Sequence, residues 1–455
     1  MGSRPRSYWV LVVPLLLALI APLLTAQVIV EYGVNVPVRD QWRFAPEVVA
    51  YFQGNCDLAT IFQPFGPHRI ALPKAIMLTL AGLTDWDTRA EMWFNFATVV
   101  LGLALLTDLA RVTLRPQTGR LWAWVVPLMS ASLFTMGAWQ SWTFGWMMNL
   151  YLGVLGAIVS AWGIGRFGNT LKGSVVSLGG ATLAAYSYLG ALPLLVLVPL
   201  ALTLLPREPG RGLGLVAATV IVALVLIALY FVDYPATTAT GQFSLEDLHP
   251  GSILVWVLHY LGARLAAGQV IAAMAWGIVA AGLGALAVVG CLRSREHRAA
   301  LLPWLLLLSY VVTAGALTAV GRQVGPQGPF LSRFAMLPAL YWAALPGATV
   351  LALVACGWAR YPVGLRAAIL SIALVAVILA APGYRETWSA GVARTANRSA
   401  NLGVARQCLQ DLPAASNDCL RILSARNPQL VRRWARRMSR LSLGPFAESQ
   451  EGTSP

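Results

Sequence analysis

Continuous apolar runs of about twenty residues recur along this 455-residue chain and constrain its fold more than any other feature. An α-helix of that length crosses the hydrocarbon core of a bilayer. Because 58% of the residues are hydrophobic and only 11% are charged, soluble folds are excluded. The strands of an outer-membrane barrel alternate polar and apolar positions, and these runs do not. The sequence therefore predicts an all-α, polytopic helical membrane protein.

The apolar runs predict about eleven transmembrane helices. The first begins at Tyr8, and its apolar run of about twenty-three residues exceeds a signal-peptide core, so we expect it to be retained with a cytoplasmic N-terminus. The second follows Asp87 and ends at Ala110. The other spans are predicted at 121–138, 143–165, 173–188, 189–205, 212–232, 267–292, 299–320, 334–357 and 362–381.

The Lys and Arg residues set the expected orientation, because basic loops stay in the cytoplasm. The loops assigned to that side, among them GRFGNTLKG and RSREHR, are all basic. The joint YLG at 188–190 decides the topology, since counting 173–205 as one span would place every later loop on the opposite side of the membrane.

The spans divide the chain into two predicted domains: a transmembrane domain over 1–381 and a C-terminal extracytoplasmic helical tail over 382–455.

The longest polar interval between spans lies in the first outer loop, residues 31–86. Its segment 70–83 is apolar but only about fourteen residues long, too short to cross a bilayer, so it predicts an interfacial helix. The titratable residues that precede and enter this segment are unusually dense for the chain, and we expect the chemistry of the protein here.

Asp40, within VRDQWRF, is the candidate catalytic residue. A carboxylate at the outer membrane surface, near Arg39 and Arg43, can accept a proton from a hydroxyl that attacks an anomeric carbon. The alternative is an interfacial Asp that only pairs with an Arg. Arg39 and Arg43 themselves are candidate substrate-binding residues.

The segment GPHRIALPK contributes three further candidate substrate-binding residues, His68, Arg69 and Lys74. Such cations can neutralise the phosphate of a lipid-linked donor, which Arg does through its bidentate fork. Alternatively, they anchor the segment to lipid headgroups, as basic residues at membrane interfaces commonly do.

Two later segments add candidate substrate contacts. Arg322 and Arg333 lie in a Gly- and Pro-rich outer loop with no acidic neighbour, which favours anion binding. Gln140 and Trp142 lie in a Trp-rich stretch where a Trp ring could stack on a sugar. The alternative for the Trp residues is an aromatic belt at the membrane surface.

Charge and cysteine content restrict partners and cofactors. The net charge of +15 lies mainly at helix ends and in the tail, where it is a topology signal, so no nucleic-acid partner is expected. Among five cysteines, only Cys408 and Cys419 suggest a disulfide, which depends on the compartment. No cofactor is expected, and no metal-site spacing supports a divalent metal.

The layout resembles the GT-C superfamily of integral-membrane glycosyltransferases, in its bacterial branch. The resemblance consists of one span, a long outer loop with an early acid in RDQW, an HR-P segment leading to an interfacial helix, and a span opening near TDWDTRAE. The QSWTFG stretch and the cysteine-bearing tail are also similar. It implies a polyprenyl-phosphate-linked sugar as donor, a glycan or lipid acceptor on the outer face, inversion at the anomeric carbon, and Asp40 as general base.

The resemblance therefore implies a membrane glycosyltransferase in a bacterial plasma membrane, with lipid, the donor and the acceptor as its partners. The alternatives are a flippase or transporter for a lipid-linked or small anionic substrate, and a non-catalytic membrane scaffold. Transporters place ionisable residues at mid-membrane, whereas the charges predicted outside lie in loops. This difference favours chemistry at the outer face.

Overall fold

The structure is a computed structural model that describes residues 9–66, 68–205, 212–234, 249–322, 328–360 and 362–447. Within these ranges the chain is helical and has no β-strand apart from one isolated bridge between Phe65 and His68. The α-helices, in chain order, are α1 Trp9–Leu17, α2 Ile20–Tyr32, α3 Asp40–Phe52, α4 Leu58–Phe62, α5 Ala71–Thr84, α6 Thr88–Thr118, α7 Val125–Leu133, α8 Trp139–Trp142, α9 Met148–Phe167, α10 Leu171–Ala185, α11 Leu194–Leu204, α12 Gly212–Phe231, α13 Pro250–Gly262, α14 Val270–Arg293, α15 Arg295–Arg322, α16 Met336–Ala355, α17 Val363–Gln410, α18 Asn417–Leu423 and α19 Pro428–Arg440.

Several helical segments in the described ranges are long and apolar enough to cross a membrane, which confirms the polytopic helical class. The total of eleven spans stays a prediction, because helices such as α10 and α11 have only 15 and 11 residues. The seven segments that meet the length are Trp9–Tyr32, Thr88–Trp142, Gly145–Phe167, Leu213–Phe231, Val270–Arg293, Arg295–Gly321 and Met336–Ala355.

Contacts between loops show which helix ends share a side of the bundle. The His68 ring in the first loop stacks on Tyr188, in the turn between α10 and α11, with ring centroids 5.8 Å apart. The Arg69 Nε atom donates to the carbonyl of Tyr230 near the end of α12, at 2.9 Å. The turn and this helix end therefore lie on the side that carries residues 31–86, hereafter the loop side. Residues 173–205 form two helices, as the predicted topology requires.

Three helices, α3, α4 and α5, lie between the first two long apolar segments and form part of the loop side. α5, with 14 residues, falls where the interfacial helix was expected. α3 is amphipathic, and one face packs into the core. The residues that it buries are Gln41, Trp42, Phe44, Ala45, Val48 and Val49.

The C-terminal region returns to the loop side. α17 has 48 residues and continues without interruption through the expected boundary at 381/382, with Pro382 inside it. A disulfide between Cys408 and Cys419 joins its end to α18. α19 contacts α3 and buries Val431, Ala435 and Met438. The tail therefore packs directly on the first loop.

Candidate functional site

Asp40 occupies the first turn of α3, where a carboxylate is favoured by the helix dipole. Its side chain is 45% exposed, and its Oδ1 lies 3.5 Å from Nη1 of Arg43. The preceding residue, Arg39, has a φ of +51°, which is uncommon for a residue with a Cβ. The Arg39 N–H donates to the carbonyl of Leu423 at 2.7 Å, so the tail holds this turn in place.

Aromatic side chains support Arg43 from below. Its guanidinium carbon lies 4.5 Å from the centre of the Phe65 ring, a cation–π contact. Phe65 packs on Trp146 with centroids 4.6 Å apart, and Trp146 in turn packs on Phe44 of α3. Arg43 is therefore oriented beside Asp40 although its side chain is half exposed.

A buried carboxylate that sequence reasoning missed lies directly beneath this turn. Glu91, in the first turn of α6, is 1% exposed. Its Oε2 accepts from Gln41 Nε2 at 2.7 Å, and its Oε1 accepts from Trp86 Nε1 at 3.1 Å. A Cβ at Gly145 would overlap the Glu91 carboxyl group, so a glycine is required there. Glu91 thus fixes the residue that follows Asp40.

The C-terminal helix brings a second missed residue, Arg398, to the same surface. Its Nη1 donates to the carbonyl of Gln140 at 3.3 Å, and its guanidinium lies 5.4 Å from the Phe144 ring centre. The Gln140 side chain accepts from the Ser332 hydroxyl at 3.4 Å. Burial, together with the smaller effect of the nearby charge of Arg39, lowers the pKa of Arg398 to about 10. We call Arg39, Asp40, Arg43, Gln140 and Arg398 the Asp40 cluster.

The guanidinium of Arg69 is hydrogen-bonded to backbone carbonyls of the protein itself. Nε and Nη1 donate to the carbonyls of Tyr230 and Phe62 at 2.9 and 2.7 Å, and Nη2 donates to the carbonyl of Val232. The last carbonyls of a helix have no partner within the helix, so Arg69 completes the hydrogen bonding at the end of α12. Its guanidinium contacts backbone oxygens where the sequence suggested a donor phosphate.

Lys74 is likewise directed inward. Its Nζ donates to the carbonyls of Thr60 and Gln63, each at 3.2 Å, and lies 3.8 Å from Glu47 Oε1. Burial lowers the pKa of Lys74 and raises the pKa of Glu47, although each charge opposes the effect on its partner. The Lys74 side chain is only 3% exposed, so it connects α5 to the segment 58–63 and to α3.

The other predicted site residues lie in different surroundings. The backbone N–H of Leu189 donates to Nδ1 of His68 at 3.4 Å. Trp142 is fully buried, donates to the carbonyl of Thr135 and stacks on Phe134, so it is assigned to packing in place of the suggested sugar contact. Arg333 follows Ser332, the partner of Gln140, in a short turn beside α8. α15 ends at Arg322, whose side chain lies outside the described residues.

No group of three His, Cys, Asp or Glu side chains with a geometry suited to a metal ion occurs in the part of the chain that the structure describes. The residues around Asp40 are mainly arginines, which bind anions. The arrangement therefore combines one accessible carboxylate with a positive surface on the loop side of a helical membrane bundle.

These features define a polytopic helical membrane protein with a basic, carboxylate-containing site at one face. No protein-family model matches the chain, and no curated protein matches it. Among solved structures, the chain is similar to the crystal structure of ArnT from Cupriavidus metallidurans bound to undecaprenyl phosphate. The sequences are 14% identical, the TM-score is 0.43, and the alignment covers 96% of this chain and 79% of that one.

Proposed function

We propose that this protein is an inverting membrane glycosyltransferase of the GT-C type, which transfers a sugar from a polyprenyl-phosphate donor to a glycan, lipid or protein acceptor. The observation that carries the proposal is the half-exposed carboxylate of Asp40 next to the guanidinium of Arg43, at the loop side of the bundle. The loop side would be the outer face of a bacterial plasma membrane. The N-terminus would then be cytoplasmic and the C-terminus extracytoplasmic.

In this mechanism, Asp40 accepts the proton of the acceptor hydroxyl as its oxygen attacks the anomeric carbon. The new C–O bond forms while the bond from the anomeric carbon to the phosphate oxygen breaks. The polyprenyl phosphate leaves with that electron pair, and Arg39 and Arg43 stabilise its negative charge. Attack from the face opposite the leaving group inverts the anomeric carbon.

A flippase or transporter and a non-catalytic scaffold are the alternatives. An accessible carboxylate at the bundle surface supports the enzyme over the transporter, since transporters bind their substrates near the bilayer midplane. A scaffold would need no accessible carboxylate at this surface.

The test is turnover of polyprenyl-phosphate sugars by the purified full-length protein, comparing wild type with Asp40→Asn. Loss of a general base lowers a rate by about 10²- to 10⁴-fold. Asp418→Asn is a matched control, because Asp418 also pairs with an Arg three residues later and is 85% exposed. Equal turnover by wild type and Asp40→Asn would remove Asp40 from the mechanism. Donor binding without turnover by the wild type would favour the transporter or the scaffold.

A further inference from the structure

The last helix of the tail, α19, carries a dense positive charge that the proposed reaction does not use. Seven arginines and no acidic residue lie between Cys419 and Ala447, and five of the seven belong to the 13 residues of α19. Four of these five have exposed side chains and follow each other at spacings of one, three or four residues. We call these four the arginine stripe: Arg433, Arg436, Arg437 and Arg440.

Helical periodicity places the arginine stripe on one side of α19. At about 3.6 residues per turn, the four positions fall within an arc of about 100° around the helix, and the first and last are about 10 Å apart along its axis. The opposite side buries Val431, Ala435 and Met438, and α19 contacts α3 and α18. The stripe therefore faces away from the helices on which α19 packs.

The helix that carries the stripe is fixed to the rest of the protein. The Asn427 side chain caps its N-terminus. Arg432, which lies outside the stripe, donates from Nη1 to the carbonyl of Leu412 at 2.8 Å. Just after the helix, the N–H of Gly444 donates to the carbonyl of Asp85 at 2.6 Å. A partner that binds the stripe therefore does not have to order the backbone beneath it, which favours affinity.

The charge of the stripe is not neutralised by the described part of the chain. No ion pair or hydrogen bond joins Arg433, Arg436 or Arg440 to the residues that the structure describes. The guanidinium carbon of Arg437 lies 4.7 Å from the centre of the Trp434 ring, a cation–π contact that leaves its charge in place. Like charges three and four residues apart on a helix repel each other, and an anionic partner would offset that repulsion.

The surroundings of the stripe indicate which anionic partner it fits. A helix that binds a membrane surface inserts its apolar face at the boundary of the acyl chains, but α19 buries that face in the protein. Protein interfaces are centred on apolar and aromatic anchors, and α19, which the structure describes along its whole length, exposes no large apolar side chain. A linear polymer with repeated carboxylates needs neither feature, and Arg binds a carboxylate through two N–H groups.

We propose that the arginine stripe of α19 is a docking surface for a linear acidic glycan, one with carboxylates on its sugar units. Successive turns bring an arginine to the stripe about every 5.4 Å, which is close to the length of one pyranose unit in an extended polysaccharide. The proposal goes beyond the transfer reaction. It rests on the proposed function only for the side of the membrane on which the glycan would lie.

The experiment is microscale thermophoresis of the full-length protein in phosphatidylcholine nanodiscs. The probes are hexagalacturonate, a linear chain of uronic acids, and maltohexaose, an uncharged chain of the same length. We expect the wild type to bind hexagalacturonate and not maltohexaose, and to bind it more weakly as salt is added. Arg433→Gln/Arg436→Gln/Arg440→Gln should weaken the binding by about 3- to 100-fold, as expected for the loss of three exposed charge contacts. The corresponding triple Lys variant keeps the charge and should retain part of the affinity.

Arg293→Gln/Arg385→Gln/Arg394→Gln is the matched control, because it removes the same net charge from exposed arginines outside α19. We expect its affinity for hexagalacturonate to stay within about twofold of the wild type, since distant charges are screened. The unfolding midpoints of all variants are compared first. If the triple Gln variant does not fold, the single variants Arg436→Gln and Arg440→Gln replace it, each with a correspondingly smaller loss.

Phosphatidylglycerol vesicles, tested by co-flotation with the nanodiscs, provide the comparison with a lipid surface. Binding of vesicles that depends on the stripe, without binding of hexagalacturonate, would assign the stripe to anionic lipid and overturn the proposal. Equal affinity for hexagalacturonate in the wild type and the folded Gln variants would also overturn it, as would equal binding of maltohexaose.

The docking surface and the proposed function fail in different ways. Asp40-dependent turnover by a protein that does not bind hexagalacturonate would leave the glycosyltransferase standing and remove the docking surface. Stripe-dependent binding of hexagalacturonate without transfer from any supplied donor would keep the docking surface and count against the enzyme.

Discussion

Arg43 and Arg69 belong to the same polar loop, and sequence analysis predicts a substrate-binding role for both, yet the structure places them in opposite environments. The Arg69 guanidinium donates from three nitrogens to three backbone carbonyls. The Arg43 side chain is 55% exposed, lies over Phe65 and faces one carboxylate. The acceptors of the guanidinium N–H groups, rather than the residue type, distinguish a structural arginine from one that can bind a ligand.

The structural use of arginine recurs at other helix ends. Arg264 donates to the carbonyls of Ala131 and Ser132 near the end of α7. Arg432 donates to the carbonyls of Leu412 and Ala415 in the tail. A helix leaves its last carbonyls without partners, and in a chain with few other polar groups a guanidinium supplies several donors at once. Part of the positive charge of the chain therefore serves the fold.

The largest expected effect tests this division directly. Arg69→Ala would remove three hydrogen bonds from a charged donor, one to the buried carbonyl of Tyr230 and two to the partly buried carbonyls of Phe62 and Val232, at about 1–3 kcal/mol each. We expect the free energy of unfolding to fall by about 5 kcal/mol or more, measured by the thermal unfolding midpoint in detergent. Arg43→Ala should change it by less than about 0.5 kcal/mol while weakening binding of the phosphate-bearing donor. The reverse pattern would break the comparison.

Trp142 extends the comparison to the Trp-rich stretch, the second segment of predicted substrate contacts. Trp142 is fully buried against Phe134 and Tyr151, so Trp142→Ala is expected to cost about 3–5 kcal/mol of stability. The milder Trp142→Phe variant should bind donor as the wild type does once it is folded. A selective loss of donor affinity in Trp142→Phe, with an unchanged unfolding midpoint, would restore the sugar-stacking interpretation.

The next effect concerns the link between the tail and the Asp40 cluster. Closing a loop of about eleven residues by a disulfide contributes about 3 kcal/mol, and the bond between Cys408 and Cys419 holds α18, whose Leu423 carbonyl accepts from Arg39. The Cys408→Ser/Cys419→Ser variant should lose about that much stability in the tail, measured by limited proteolysis. Donor turnover should fall with it, because the turn before Asp40 loses its support.

Reduction of the wild type by dithiothreitol should reproduce the double variant and should leave the double variant itself unchanged. The single variant Cys56→Ser is the control, since Cys56 is a free cysteine outside the tail. Normal turnover in the double variant would show that the Leu423 contact persists without the disulfide.

The helical class, the position of the short helix α5 and the split of 173–205 could be predicted because apolar run length, periodicity and turn residues are local properties of the chain. The roles of Arg69 and Trp142 could not, because their partners at Tyr230, Val232 and Phe134 are set by tertiary packing. Arg398 and Glu91 were missed for the same reason. The position of Arg398 gave a weak signal: it lies well past the last predicted span, on the helix that continues that span without a break.

The smallest expected effect is a dependence of stability on pH at the pair of Glu47 and Lys74. Burial raises the pKa of Glu47 above its ordinary value of 4.5, and the charges of Lys74 and Arg43 only partly oppose this. The folded protein then holds the Glu47 proton more tightly than the unfolded chain does. The free energy of unfolding should therefore fall as the pH rises from about 4.5 through the raised pKa, and then level off.

Lys74 acts in a separate range. Burial lowers its pKa from 10.5, so the unfolded chain binds its proton more tightly, and stability rises with pH between the lowered pKa and 10.5. Unfolding midpoints of wild type and Glu47→Gln between pH 4.5 and 7 should diverge, with the smaller slope in the variant. Parallel curves would mean that the pKa of Glu47 is the same in the folded and unfolded states. Its carboxyl group would then be less buried than the structure indicates.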